Sequence, residues 1–167
     1  MAGIGFNASQ AWQPEVYVKY GIVNRIPCSV SSGYMGTFKN GTVVTIAGAN
    51  YQIFNMLSPS TGALGIAVAQ NQVDYTNPAN LSVSVLIPTP GAVVSVPVSC
   101  FVSGSSPIAG QPIFVTMQGE FTTDESNAFN SGSSLYPFAQ CIASDQEYVD
   151  LIFPLAGQNT PIAGSSK

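Results

Sequence analysis

The sequence predicts an all-β domain, a β-sandwich or a β-barrel-like fold with an extended N-terminal arm, and a jelly roll is one topology that fits. Short runs of alternating apolar residues recur between clusters of Gly, Pro, Ser, Asn and Asp. No segment carries an apolar stripe of helical spacing over three turns, and Ser126 to Phe129 could form one turn at most. The 46% hydrophobic content is enough for a core, which argues against a disordered chain.

The chain of 167 residues suits one domain with two peripheral segments. These parts are an extended arm over 1–14, a β-rich domain over 15–155 and a flexible tail over 156–167. Gly and Pro in the arm oppose regular structure, and Phe6 and Trp12 are its large anchors. The β-rich domain divides further into two candidate sub-modules, 15–102 and 108–155.

Strands in the first half follow turn signals. Pro27 cannot donate to a ladder, so its strand is an edge strand or is bulged there. Asn40-Gly41 is a strong hairpin signal because both turn positions tolerate positive φ, and it predicts that residues 34–39 pair with Thr42–Ala47. The predicted strands are Glu15–Tyr20, Gly21–Val30, Tyr34–Lys39, Thr42–Ala47, Tyr51–Leu57 and Leu64–Ala69.

Strands in the second half alternate more clearly. Asn71 to Asn80 is a polar loop, and two valine-rich strands follow it. Gln118-Gly119 sits where a tight turn belongs, so that Glu120 to Thr122 can return along the preceding strand. The predicted strands are Leu81–Ile87, Val93–Val102, Pro112–Met117, Glu120–Thr122, Pro137–Ala143 and Glu147–Phe153.

Charge is unusually scarce. Charged residues make up 7% of the chain, against roughly 25% in ordinary soluble domains. Interface cores are also depleted in charge, so this composition suits a subunit of an assembly. A secreted β-domain with a neutral polar surface is the alternative.

The few charges are unevenly distributed. Lys19, Arg25 and Lys39 lie in the first forty residues, whereas residues 41–166 hold seven acids and no base. This distribution argues against nucleic-acid binding, which needs clustered bases for the phosphates. It is compatible with the front segment of one subunit lying on an acidic neighbour. No apolar run reaches the length of a membrane span, so we expect no membrane partner.

The residues needed for most catalysis are missing. The chain has no histidine, which removes imidazole acid–base chemistry and His-activated nucleophiles. Carboxylate pairs could serve glycoside hydrolysis or bind calcium, but solvated acids are the simpler interpretation. These acids are Glu120, Asp124 and Glu125 in one group, and Asp145, Glu147 and Asp150 in the other. We therefore expect no enzyme, no cofactor and no metal.

Cysteines and aromatic residues complete the inventory. The three cysteines, Cys28, Cys100 and Cys141, show no metal-ligand spacing and are expected to be free, buried apolar residues. Aromatic residues in or beside predicted loops could grip a partner or a sugar, or could instead plug the ends of the sandwich. The candidate interface residues are Phe6, Trp12, Lys19, Arg25, Tyr75, Phe129 and Tyr136.

The region from Gly41 to Leu155 contains six segments with a characteristic β-strand and turn pattern. They are Leu64–Ala69, Val93–Val102, Gly110-Gln111-Pro112-Ile113-Phe114-Val115, Gly119-Glu120-Phe121-Thr122-Thr123, Tyr136-Pro137-Phe138-Ala139 and Tyr148-Val149-Asp150-Leu151. In these segments the region resembles the capsid decoration or cement proteins of tailed bacteriophages. Two features depart from that pattern: Phe138-Ala139 stands where a glycine is common, and the first thirty residues do not align.

The resemblance implies a structural virion protein on the outer surface of a phage capsid. Such a protein binds and cements neighbouring major capsid protein subunits, usually as a homodimer or homotrimer. The alternative is a receptor- or glycan-binding β-domain of a phage fibre, a spike or an extracellular adhesin. The two hypotheses differ in copy number and in whether a sugar is bound.

Overall fold

A computed structural model describes residues 15–32, 34, 39–54, 57, 62–69, 83–129 and 137–154. This part of the chain contains strands and short 3-10 turns but no α-helix, so the all-β prediction is confirmed. None of its helical turns is long and apolar enough to cross a membrane. The strands are β1 Tyr17–Tyr20, β2 Val23–Val30, β3 Val43–Ala47, β4 Gln52–Phe54, β5 Ala63–Ala69, β6 Val83–Pro88, β7 Val93–Pro97, β8 Pro112–Val115, β9 Phe121–Thr122, β10 Ala139–Ser144 and β11 Tyr148–Ile152.

Five strands form a closed barrel in the order β2-β4-β3-β5-β6. All neighbours are antiparallel except β2 and β4, which pair in parallel at Ser29 and Val30. Every strand of the barrel contributes to one apolar cluster, so this cluster fills the barrel interior. Its principal members are Val44, Ile46, Ile53, Ala67, Val83 and Val85, with Ile26, Cys28 and Val30 of β2 packed against them.

The remaining strands form a six-stranded sheet in the order β1-β7-β11-β10-β8-β9. Its inner face packs on the outside of the barrel, where Val43, Ile66 and Leu86 alternate with the residues that point inward. Successive side chains of a strand point to opposite faces, so these barrel strands are buried on both sides. The result is a closed barrel stacked on an open sheet, rather than the two sheets of a jelly roll.

A two-stranded ribbon connects the barrel to the sheet. One strand of it is the segment 17–28, which runs antiparallel to residues 83–95, first along β7 of the sheet and then along β6 of the barrel. The two segments approach each other closely at Gly21, where φ is +81° and an added Cβ would lie 2.8 Å from Ala92 Cα. Because β1 pairs with β7 and β7 pairs with β11, the sheet extends across the boundary that the sequence suggested between residues 15–102 and 108–155.

Two predicted strands differ in extent or pairing. The strand expected over Val93–Val102 ends at Pro97, and a 3-10 turn follows at Val98–Cys100, where the Cys100 thiol donates to Asn40 O over 2.8 Å. In β3 the described partners are β4 and β5, and residues 35–38 of the predicted partner segment 34–39 lie outside the described residues. Asn40-Gly41 does form a turn, in which Thr42 N donates to Lys39 O.

The other turn predictions are confirmed. Gly119 closes a tight turn by donating its N–H to Thr116 O over 3.0 Å, and β9 returns antiparallel to β8 with Phe114 opposite Thr122. Pro27 lies where β2 has β6 as its only described neighbour, as expected for a residue that cannot donate to a second strand.

The arm (1–14), the loop 71–80 and the tail (156–167) lie outside the described residues.

The Gly119 turn also fastens the sheet to the barrel, and this generates a first prediction. Val43 N donates to Gly119 O over 2.9 Å, and a Cβ on Gly119 would collide with the Val43 carbonyl oxygen. Gly104 is the matched control, because its φ of +87° resembles the +84° of Gly119 but its surroundings are open. We expect Gly104→Ala to cost about 1–2 kcal/mol of unfolding free energy, from backbone strain alone.

Gly119→Ala should cost at least about 2 kcal/mol more than Gly104→Ala, since the β3 backbone has to move as well. Urea unfolding of both variants, followed by circular dichroism, measures the difference. Equal losses would show that the contact with Val43 contributes nothing to stability.

Candidate partner-binding groove

A cavity of about 690 Å³ opens on the surface beside the ends of several strands. It is lined by four phenylalanines, four prolines and two aliphatic residues, and we call it the Phe–Pro groove. The lining residues are Leu64, Pro88, Pro90, Phe114, Val115, Phe129, Pro137, Phe138, Phe153 and Pro154. A second cavity of about 370 Å³ shares Pro137, Phe153 and Pro154 with the groove, so the apolar surface continues beyond it.

Phe129 is placed in the groove by a capped 3-10 turn. The Asp124 carboxylate accepts hydrogen bonds from Ser126 N (2.9 Å) and Ser126 Oγ (2.7 Å), which starts the turn Glu125–Asn127. Ala128 then packs against Phe114, and Phe129 N donates to Val115 O over 2.9 Å. Phe129 is half-buried, with one side on the core and the other on the groove.

The floor of the groove is continuous with the aromatic part of the core. Phe153 meets Phe138 edge-on, with ring centroids 5.4 Å apart, and Phe138 contacts Phe121 at 6.1 Å. Phe121 is fully buried and contacts Phe101 at 5.3 Å. Aromatic pairs at such distances each add about 0.5–1.5 kcal/mol beyond the area they bury. The groove is therefore built on a packed, pre-formed surface.

The electrostatic character of the groove is neutral. None of the described residues that line it is charged, and its walls offer backbone groups as the polar contacts. Desolvating such a surface costs little, whereas a charged ligand would find no counter-charge there. The groove therefore suits an apolar segment of another protein better than a charged metabolite.

The candidate carboxylates serve the fold. Asp124 caps the turn before Phe129, and Asp145 Oδ1 accepts from Glu147 N (2.7 Å) and Tyr148 N (2.8 Å). Asp150 forms a salt bridge of 2.8 Å with Lys19. Within the described ranges no group of three or more His, Cys, Asp or Glu side chains could hold a metal ion.

The contacts of Asp124 and Asp145 lower the pKa values of these two acids. Hydrogen bonds from Ser126 lower the pKa of Asp124, and backbone N–H groups of Tyr148 and Glu147 lower the pKa of Asp145. A lowered pKa keeps a carboxylate ionised and makes it a poor general acid. The acids thus behave as turn-forming groups in the described structure.

A polar pocket of about 410 Å³ lies on the outer face of the sheet. Tyr17 and Tyr148 stand side by side there, with ring centroids 5.5 Å apart, next to the salt bridge of Lys19 with Asp150. Asp150 also raises the pKa of Lys19, chiefly through the hydrogen bond between their side chains. The sequence did not single out this pocket, because its members come from four strands, and β1 and β7 are distant along the chain from the neighbouring strands β10 and β11.

The predicted interface residues separate into three groups. Phe129 lines the groove, Lys19 lies on the polar pocket, and Arg25 is exposed on β2. Lys19 pairs with Asp150 of its own chain, a partner that the sequence analysis does not predict. The other predicted positions, Phe6, Trp12, Tyr75 and Tyr136, lie outside the described residues.

The cysteines are free, as predicted, and two of the three are buried. Burial raises the pKa of Cys100 to about 12, and its thiol donates to Asn40 O. Burial also raises the pKa of Cys28 and of Cys141. Thiols held in the protonated form are poor nucleophiles, so these residues act as small apolar side chains.

Sequence reasoning missed most of the groove. Phe114, Phe138 and Phe153 were assigned to strands, and nothing in their spacing distinguishes a core residue from a groove residue. One usable signal was the recurrence of proline next to phenylalanine or valine where strands begin or end, at Pro137 and Pro154. Prolines at strand ends leave side chains at the rim of a sheet.

No protein-family model and no curated protein sequence matches this chain.

The turn at Asp145 predicts a specific dependence of stability on pH. The folded-state pKa of Asp145 lies below its usual value of 3.8, so its ionised form stabilises the fold above that pH. This contribution is lost as the pH falls through the folded-state pKa. We expect the urea midpoint of the wild type to fall in this range, and that of Asp145→Asn to fall less, because an amide still accepts both N–H bonds but does not titrate.

The measurement is a series of urea unfolding curves between about pH 7 and about pH 2. Glu147→Gln is the matched control, since it removes an exposed acid from the same turn and leaves both hydrogen bonds in place. A pH dependence of Asp145→Asn identical to that of the wild type would contradict the prediction.

Proposed function

We propose that this protein is a structural, non-catalytic subunit that attaches to the outer surface of a protein shell and cements neighbouring shell subunits. The observation that supports this most is the Phe–Pro groove, an uncharged and pre-formed apolar surface on a chain with very few charges. Exposed apolar patches of this kind typically mark sites of protein interaction. The shell we propose is that of a tailed bacteriophage, from the sequence resemblance to its decoration proteins.

An extended, apolar segment of the shell protein is the ligand that best fits the groove. Its walls consist mainly of phenylalanine and proline side chains, and aromatic-lined grooves of other proteins bind extended, proline-rich peptides. The buried Phe114 and Phe153 form the floor of the groove, whereas half-buried Phe129 and Phe138 can pack against the bound segment of the shell protein. A single apolar anchor in such a pocket contributes about 2 kcal/mol or more to binding.

Attachment to a repeating lattice makes a modest binding affinity of the groove sufficient. Each copy gains affinity when it contacts two subunits at once, because the second contact is intramolecular. A surface poor in charge also avoids strong repulsion between closely spaced copies. The low charge content is therefore an expected property of a densely packed surface subunit.

The polar pocket on the outer face supports a second candidate function, the binding of a glycan. Tyr17 and Tyr148 provide aromatic surface, and Asp145, Asp150 and Lys19 provide polar groups around it. Most of these polar atoms already bond within the chain, including Asp145 with its turn and Asp150 with Lys19. The shell-binding proposal is favoured because the groove has no such internal partners to displace.

Copy number distinguishes the two functions. We expect quantitative mass spectrometry of purified particles from the source of this chain to find it in simple proportion to the major shell protein. About a dozen copies per particle would instead indicate a fibre or spike, and absence from particles would refute the proposal. Glycan-array binding that Tyr148→Ala abolishes would establish the second function.

The role of the groove is tested by replacing Phe129. We expect Phe129→Ser to weaken cosedimentation with particles stripped of this protein by roughly thirtyfold, which corresponds to the loss of one binding anchor. The circular dichroism spectrum should be retained, since Phe129 is half-buried and ends a surface turn. Ile108→Ser is the matched control, because Ile108 is 62% exposed and does not line the groove.

Unchanged binding of a folded Phe129→Ser variant would remove the groove from the mechanism. An equal loss with Ile108→Ser would show that general surface apolarity, and not the groove, supports attachment. If Phe129→Ser proves unfolded, Pro90→Ser provides the same test from the exposed rim of the groove.

A further inference from the structure

Segment 17–28, the outer strand of the two-stranded ribbon, has one edge that pairs with no described strand. β1 pairs with β7, and β2 pairs with β6 over Val23–Cys28, whereas β4 contacts β2 only at Ser29 and Val30. The opposite edge of the ribbon therefore presents its backbone N–H and C=O groups across both the sheet and the barrel. Exposed edges of this kind are ready to pair with another chain.

The edge is protected only in part: Arg25 and Pro27 lie towards one end of it, and the register with β7 shifts between Val18 and Tyr20. Natural edge strands usually carry uncompensated charges, and lysine above all, that discourage pairing. Here the charge of Lys19 is compensated by Asp150, 2.8 Å away within the same chain. Large apolar side chains are exposed instead, with Tyr20 at 69% and Ile22 at 70%.

Arg25 on this segment and Glu15, two residues before it, carry opposite charges. Glu15 and Arg25 are both exposed, and they lie five residues before and five residues after Tyr20. If two copies of the ribbon pair antiparallel with Tyr20 opposite Tyr20, Glu15 of each copy stands opposite Arg25 of the other. Opposite charges directly across an antiparallel pair stabilise it, and the two-fold symmetry makes this contact twice.

We propose that the edge of residues 17–28 is a homodimer interface, at which a second copy of this chain adds its own ribbon in antiparallel register centred on Tyr20. A second copy is the occupant because the residues outside 17–28 carry a net charge of −6 (two basic and eight acidic residues), so contacts between other faces of two copies are less favourable. This segment contributes Lys19 and Arg25, two of the four basic residues, so like molecules meet here with the least repulsion. The inference does not depend on attachment to a shell.

The geometry of the ribbon allows such a partner. Residues 83–95 run antiparallel to segment 17–28 on both sides of Gly21, with a register shift between Val18 and Tyr20, and a partner strand has to follow the same irregular course from the sheet to the barrel. Pro27 lies beyond the proposed pairs of Glu15 with Arg25 and does not interrupt them. The dimer would join two six-stranded sheets into one continuous sheet.

Charge exchange provides the main test. Sedimentation velocity on the full chain should show a reversible dimer. Arg25→Glu and Glu15→Arg should each raise the dimer dissociation constant at least about tenfold, because each places like charges opposite one another twice. The double variant Glu15→Arg/Arg25→Glu restores both pairs and should return to within about threefold of the wild type.

Two further variants test the apolar centre of the edge. In Tyr20→Lys the two introduced charges would face each other at the symmetry axis, so we expect a monomer. Ile108→Lys introduces the same charge at a comparably exposed site elsewhere and should remain dimeric. Glu147→Arg controls for the change in net charge made by Glu15→Arg, and it should leave the dimer intact.

Four results would overturn the proposal. These are a wild-type chain that stays monomeric at about 100 μM, a Tyr20→Lys variant that still dimerises, a double charge variant that is not restored, and a dimer that is lost when residues 2–14 alone are deleted. The last result would show that the arm, rather than the second ribbon, occupies the edge. Concentration-dependent protection of the backbone amides of residues 17–28 from hydrogen exchange would support the proposed pairing directly.

Discussion

The structure depends on one hydrophobic layer that the barrel and the sheet share. Val43, Ile66 and Leu86 point out of the barrel into the inner face of the sheet, where they meet residues such as Val94 and Leu151. Because β3, β5 and β6 are buried on both faces, neither the barrel nor the sheet can be separated without exposing a core to water. The fold is consequently a single cooperative unit, although the barrel is built from the consecutive strands β2–β6 and most of the sheet from the consecutive strands β7–β11.

The shared layer also explains why the groove is rigid while lying at the surface. Phe121 belongs to this layer, and through Phe138 it supports Phe153 at the groove floor. A groove that rests on fully buried side chains does not have to be organised when a partner arrives, so less binding energy is lost to ordering. Charge plays no part in this arrangement, which is consistent with a chain that holds only twelve charged residues, four basic and eight acidic.

Local patterns predicted the elements of this fold better than their arrangement. The turns at Asn40-Gly41 and Gln118-Gly119, the strands of the region 112–153 and the position of Pro27 follow from backbone preferences that act over a few residues. The partners of β3 could not be predicted, because a strand that is buried on both faces has no side-chain pattern that favours one edge partner over another. Phe129 was identified from its place beside a loop, whereas Phe114 and Phe153 join it only through tertiary packing.

The groove and the free edge adjoin each other, which relates the two proposals. Pro88 and Pro90 line the groove, and Thr89 between them donates its N–H and its hydroxyl to Ile22 O, at 3.0 and 2.7 Å. Ile22 in turn lies on the exposed edge of the ribbon. A dimer joined along this edge would hold two grooves at a fixed separation near its symmetry axis. Two modest apolar contacts at the matching spacing of a lattice can give an affinity that neither groove has alone, so dimerisation itself would confer selectivity for an assembled shell over its free subunits.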